Sequence, residues 1–318
     1  MIQDIKNKIL IGGSITIEEA IALSKIEDKE ALYAAADEIR EKLCGNKMDM
    51  CSITNARSGK CNADCKWCSQ SAFNKTNVET YELIDEKEVL ETAQKNADQG
   101  VHRYSLVTSG KKLSFSNLQK LCGTYKKISE TTKISMCASM GLMNPGELME
   151  LKNAGVDHYH CNLETARSFF PELVTTHTYD QKIETIRAAQ AIGLKVCSGG
   201  IIGMSETMEQ RLELAFELKE LGILSIPINV LMQVEGTPLE KVEDLSDEEI
   251  LTTIALFRFI NPKAKLRFAG GRMKIKHIQE KALKAGINAA LVGDYLTTIG
   301  SNVEEDRVDF EKAGFDLN

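Results

Sequence analysis

The sequence predicts a (β/α)8 barrel preceded by a helical extension, and three observations support this. From Met48 onward, short β-rich runs alternate with amphipathic helical stretches. Eight such β-runs occur, and strand–helix alternation implies parallel pairing through right-handed crossovers. Glycines at positions 100, 155, 193, 222 and 286 fall just before β-runs, where the preceding helices must stop. Eight parallel strands close most economically as a barrel. An open, doubly wound sheet is the alternative.

Residues 1–45 read as the helical extension. "ITIEEAIALSKI" and "KEALYAAADEIREKLCG" carry apolar residues at helical spacing. Thr16 with Glu18 and Glu19 marks a helix start, and Gly45 can end the second helix. Residues 46–318 form the barrel, with strands expected at 48–54, 103–108, 134–139, 159–163, 195–201, 225–231, 265–269 and 289–292. Helical patterns such as "DEKEVLETAQKNADQG" and "SETMEQRLELAFELKELG" fill most gaps. No low-complexity segment, proline-rich linker or short-period repeat divides this region.

Composition narrows the function classes. The chain has 318 residues, 43% hydrophobic and 27% charged, as in an ordinary globular protein. A formal net charge of −7 disfavours nucleic acid as the main partner. No apolar run is long enough to span a membrane, and MIQDIKNKIL lacks a signal-peptide core. These features predict a cytoplasmic protein. Nine scattered cysteines do not suit a disulfide scaffold; they read as buried apolar residues, metal ligands or catalytic thiols.

"GKCNADCKWCSQS", residues 59–71, spaces Cys61, Cys65 and Cys68 as C-x3-C-x2-C. The loop follows the first strand, on the face where barrels place their chemistry. Structural zinc normally takes four closed ligands, and no second Cys or His pair follows. A four-iron cluster held by three thiolates would leave one iron open. An open iron can chelate a small molecule through an amine and a carboxylate.

This motif, with Trp67 before the third cysteine, resembles the radical S-adenosylmethionine superfamily. The resemblance implies a [4Fe-4S] cluster whose free iron binds the methionine end of S-adenosylmethionine. One electron would then cleave the C–S bond and release a 5′-deoxyadenosyl radical. "GGIIGMSE" matches the superfamily's G-x-I-x-G-x-x-E pattern, implying that Gly199, Ile201 and Gly203 lie beside the adenine.

Further stretches resemble the biotin synthase family: "NARSGKCNADCKWCSQS", "TTHTYDQKIETI", "KVCSGGIIGMSET", "PINVLMQVEGTPL", "LRFAGGR" and "LTTIG". That resemblance implies sulfur insertion between two saturated carbons of dethiobiotin, with two S-adenosylmethionine cleavages per product. It implies an electron donor such as flavodoxin or ferredoxin, and a homodimer. It places Asn162 and Glu164 near the ribose and substrate, Asn229 at the ureido ring, and Thr297 and Thr298 near the valeryl carboxylate. A related radical enzyme, such as a hydrogenase-maturation enzyme, is the alternative.

Biotin synthases resembling this chain carry a second, sulfur-donating cluster inside the barrel. Cys137, Cys197 and Arg267 match three of its ligands, but Ser105 stands where a fourth, a cysteine, is expected. Barrel interiors take one side chain per layer from each of four alternate strands. Cys51, Cys137, Cys197 and Arg267 lie on the first, third, fifth and seventh strands, so they can share a layer. The expectation is an auxiliary iron–sulfur cluster, of two-iron or four-iron type, held by Cys51, Cys137 and Cys197. Arg267 would hydrogen-bond its sulfide. Cys161 is the competing ligand, but strand alternation turns it away from Asn162 and Glu164. Arg103 shares the facing of Ser105 and resembles a family arginine near the inner cluster. Cys44 and Cys122 read as buried apolar thiols, and the five histidines as packing or surface residues.

Overall fold

A computed structural model describes residues 1–293 and 301–317. The extension contains three helices: α1 (Ile2–Leu10), α2 (Ile17–Ser24) and α3 (Lys29–Cys44). Thr16 and Glu19 close a capping box on α2, each side chain accepting from the other's backbone N–H. Gly45, in a left-handed conformation at φ 71°, ends α3.

The barrel runs β1 (Asp49–Arg57), α4 (Glu86–Asp98), β2 (Arg103–Thr108), α5 (Phe115–Thr131), β3 (Ser135–Ser139), α6 (Pro145–Asn153) and β4 (Val156–His160). It continues through α7 (Phe170–Leu173), α8 (Tyr179–Ala191), β5 (Lys195–Cys197), β6 (Gly200–Ile202), α9 (Met208–Glu220), β7 (Ser225–Val230), α10 (Asp247–Ile260) and β8 (Lys265–Phe268). A 3₁₀ segment, Arg272–Ile278, then leads into α11 (Gln279–Leu283), β9 (Ala289–Leu291) and α12 (Val303–Lys312).

All strand pairings are parallel, and the order β5-β4-β3-β2-β1-β9-β8-β7-β6 closes through an added β5–β7 pairing. The result is the expected (β/α)8 barrel, with two strand boundaries corrected. The fourth strand occupies 156–160 rather than 159–163. The fifth is broken into β5 and β6 at Ser198–Gly199.

Both corrections have one cause. After His160 the chain leaves the ladder and returns at Glu164, whose N–H donates to the Gly199 carbonyl and whose carbonyl accepts from Ile201. Glu164 makes this return in a left-handed conformation, φ 75°. The crossing needs glycine: a Cβ on Gly199 would lie 2.0 Å from the Pro227 carbonyl oxygen, and one on Gly200 2.5 Å from that of Glu164.

The extension packs on α10, whose residues 250–260 are all buried. A helix apolar on every face must be covered on every face. Here the barrel covers one side and α3 the other, where the Tyr33 hydroxyl lies 3.2 Å from Thr252 Oγ1.

The register fixes the interior layers. Paired rungs run Cys51–Arg103, Ser105–Cys137, Cys137–His158, His160–Cys197, Cys197–Ser225, Pro227–Arg267, Arg267–Ala289 and Leu291–Cys51. Each sideways step in a tilted barrel drops one residue in height. Followed around the ring, Cys51, Cys137, Cys197 and Arg267 return to one level. Ser105, His160, Pro227 and Leu291 lie one level above, toward the strand C-termini; Arg103, His158, Ser225 and Ala289 lie one level below.

Candidate active site

The three-cysteine loop leaves β1 and folds back on itself. Cys61 N–H donates to Gln70 O, and the Cys61 carbonyl accepts from Ala72 N–H. The Gln70 amide oxygen accepts from Gly59 N–H, and Ser71 Oγ donates to Ala63 O. Asn74 Nδ2 donates to the carbonyls of Cys65 and Cys68, at 3.1 and 2.8 Å. The loop is thus ordered by its own polar side chains. Burial pushes the Cys65 thiol up, and the Cys68 thiol up to about 11. A cation placed among them would reverse that and hold them as thiolates.

Below this loop a cavity of about 350 Å³ runs into the barrel. Its walls include Cys61, Cys65, Trp67 and Cys68 at the mouth, and Cys51, Cys197 and Arg267 at depth. Asn162, Glu164 and Asn229 line the space between. A second cavity of about 260 Å³ adjoins it past Trp67, Ile201 and Asn229.

The polar wall residues are held by backbone contacts. Asn162 Oδ1 accepts from Gly199 N–H at 3.3 Å. Burial pushes the Glu164 carboxyl up, opposed by the ammonium of Lys182 and a hydrogen bond from Asn162. Lys182 Nζ also donates to the Asn162 carbonyl at 2.8 Å. Asn229 donates to Gly200 O and accepts from Gly270 N–H, at 2.9 and 2.8 Å. One hydrogen and one lone pair of its amide remain for a ligand. Thr297 and Thr298 lie outside the described residues.

Cys51, in the cavity wall, is in side-chain hydrogen-bond contact with the buried Cys137. That contact, with Arg267 and Arg103 nearby, holds the Cys51 thiol below its ordinary value, while the same contact and burial push the Cys137 thiol up. Ser225 Oγ lies 3.3 Å from Cys197 Sγ. The two guanidiniums are positioned by Asp49, which bonds Arg103, Lys265 and, at 2.5 Å, Arg267 Nη2. Arg267 Nη1 donates to the carbonyls of Asp49 and Ala290. These guanidiniums favour anionic sulfur in a site otherwise hostile to charge.

Cys161 also borders the cavity. It lies just past β4, not on it, and its Sγ faces the Lys182 carbonyl of α8 at 3.9 Å. Cys44 borders the fully buried Arg258, whose Nη1 is 3.3 Å from the sulfur, and Cys122 is buried on α5.

The donor set fits iron–sulfur clusters. Among the described residues, no three His, Cys, Asp or Glu side chains are placed to hold a single metal ion. Three thiols spread around one space are instead the corners a polynuclear cluster needs. Cys61, Cys65 and Cys68 would suit one such set; Cys51 and Cys197 line the deeper end of the cavity, and the buried Cys137 shares their layer.

Sequence reasoning missed several supporting residues. Glu206, the last letter of "GGIIGMSE", accepts from Gly203 N–H and Met204 N–H and pairs with buried Arg211 at 2.6 Å. It fixes the turn at Gly203 and Met204. Asp49 was legible in principle: it lies two positions before Cys51, so both face inward. Lys182 had no such signal, because it reaches the site from a helix.

The profile of the radical SAM superfamily matches residues 56–218, and that of the biotin and thiamin synthesis associated domain matches 227–316. A biotin synthase of Parabacteroides distasonis is 51% identical over 99% of this chain and 97% of its own length. One from Porphyromonas gingivalis is 50% identical over 100% and 96%. Among solved structures, a methylornithine synthase superposes with TM-score 0.84 at 20% identity, over 98% of this chain and 96% of that one. An FeFe-hydrogenase maturase of Carboxydothermus hydrogenoformans superposes with TM-score 0.83 at 15% identity, over 99% and 78%. At such identities these two report the shared fold alone.

Proposed function

This chain belongs to the biotin synthase family, and we propose on that footing that it converts dethiobiotin to biotin. The observation that carries this reading is the single cavity joining the mouth thiols Cys61, Cys65 and Cys68 to the floor residues Cys51, Cys197 and Arg267. A reaction that generates a radical at one end and takes sulfur from the other needs that arrangement. When bound, a [4Fe-4S] cluster with S-adenosylmethionine would supply a hydrogen-abstracting radical, and an auxiliary cluster the sulfur.

The chain's own residues bind, orient and exclude water. Asn74 and Gln70 hold the mouth loop in shape, so the three thiols meet their cluster without reorganisation. Glu164 and Asn162, steadied by Lys182, present acceptors to ribose hydroxyls. Gly199, Ile201 and Gly203 are assigned to the adenine by resemblance, and Ile201 and Trp67 both line the second cavity. Asn229 faces a urea group with its remaining donor and acceptor. Thr297 and Thr298 are assigned to the substrate carboxylate by resemblance. Cys51, Cys137 and Cys197 would hold the auxiliary cluster, with Arg267 and Arg103 offsetting its charge. Three cysteine ligands suit a four-iron type with one iron open to sulfur. A flavodoxin or ferredoxin as electron donor, a homodimer and a cytoplasmic setting complete the proposal.

The test is anaerobic incubation of the reconstituted protein with dethiobiotin, S-adenosylmethionine and a reductant. Biotin and deoxyadenosine should appear together. Deoxyadenosine without biotin in the wild-type protein would redirect the reading to another radical reaction. Mössbauer spectra decide the auxiliary type, and a two-iron signature would remove the four-iron version.

A further inference from the structure

One polar atom at the floor of the cavity has no role in what precedes. His160 ends β4, pairs in register with Cys197, and lies one level above the plane of Cys51, Cys137 and Cys197. Its Nε2 is shut from solvent and has no hydrogen-bond partner. The charged groups that act on the ring, Arg103 and Arg267, are both cations, and His158 lies one rung-pair below. Neither guanidinium offers an acceptor. A buried, unpaired ring N–H is destabilising unless something accepts it. Ser105 Oγ, at the same level two strands away and also buried, is likewise without a partner. Two orphaned polar groups on the upper face of a thiol triad point to an acceptor lying between them.

We propose that His160 donates through Nε2–H to a sulfur of the auxiliary cluster on the side facing the substrate cavity. The proposal rests on the assignment of that cluster to Cys51, Cys137 and Cys197. A donor there holds the transferable sulfur toward the substrate and stabilises the reduced cluster, because hydrogen bonds to cluster sulfur raise its potential.

The experiment uses full-length protein in which Cys61→Ala, Cys65→Ala and Cys68→Ala remove the mouth cluster, so one paramagnetic centre remains after reduction. Pulsed EPR should show a weak nitrogen coupling that disappears in His160→Phe. The midpoint potential should fall in His160→Phe and recover in His160→Gln, which keeps an N–H donor. An unchanged spectrum and potential in His160→Phe overturns the proposal, as does a coupling of the size expected for nitrogen bonded directly to iron. Iron and sulfide are counted on the same samples. If the triple variant holds no cluster, the assignment to Cys51, Cys137 and Cys197 fails, and the proposal fails with it.

Discussion

Arg267 Nη2, from the layer of the floor thiols, lies 2.5 Å from Oδ1 of Asp49, two residues before Cys51 on β1. The same carboxylate bonds Arg103 and Lys265. One buried acid therefore positions two guanidiniums that would otherwise repel each other. Removing one partner of a buried pair leaves uncompensated charge and costs about 3–5 kcal/mol. Asp49→Asn is expected to lose stability of that order, read as a lowered urea midpoint at unchanged slope. A loss below about 1 kcal/mol would mean the carboxylate is not what holds the arginines.

Cys51 and Cys161 make opposite predictions. Cys51 is in hydrogen-bond contact with Cys137 inside the barrel, whereas the Cys161 sulfur faces α8. In Cys51→Ala the iron content should fall by the auxiliary share and biotin formation by more than about tenfold, with deoxyadenosine still produced. Cys161→Ala should keep both the iron and the product. Anaerobic iron analysis beside product assays separates them, and loss of iron in Cys161→Ala alone would exchange their roles.

His177 carries a pH dependence. Its ring stacks edge-on against Phe170, with centroids 5.6 Å apart, and burial lowers its pKa to about 4, helped by Lys182 and Lys111. The unfolded chain takes up this proton near pH 6.5, ahead of the folded one. Stability is therefore full above about pH 6.5 and is lost as pH falls from there toward 4. His177→Phe keeps the packing and removes the proton site. Its unfolding free energy should decline less steeply than wild type over that window, in denaturant titrations at several pH values; parallel curves would rule the ring out.

The barrel was legible because alternating β-rich and helical runs survive in every unit, and the floor layer because cysteines fell on odd strands at matching depth. What escaped depends on the chain leaving its ladder. The return at Glu164 needs a left-handed residue and two glycines packed against carbonyls, and no periodicity encodes that. His160 looked like an ordinary strand residue, since only the three-dimensional register sets it above Cys197. Lys182 and Arg211 reach the site from helices, and their spacing in sequence says nothing of the loops they meet.

Gly199 gives the sharpest test of that crossing. Its backbone adopts no left-handed angle, so the demand for glycine here is purely one of space. A methyl group would sit 2.0 Å from Pro227 O and 2.9 Å from the proline ring, both on β7. Backbone cannot rotate away as a flexible side chain can, so β5 and β7 would have to separate. That separation would also loosen the contacts from Gly199 to Glu164 N–H and to Asn162 Oδ1. Overpacking of this kind costs about 1–3 kcal/mol. Gly199→Ala should therefore be destabilised by that much, and, because Asn162 and Glu164 lose their anchor, should bind S-adenosylmethionine several-fold more weakly. Calorimetric titration of the reconstituted protein measures the second effect. Destabilisation with unchanged affinity would show that the crossing supports the fold without shaping the proposed contacts of Asn162 and Glu164.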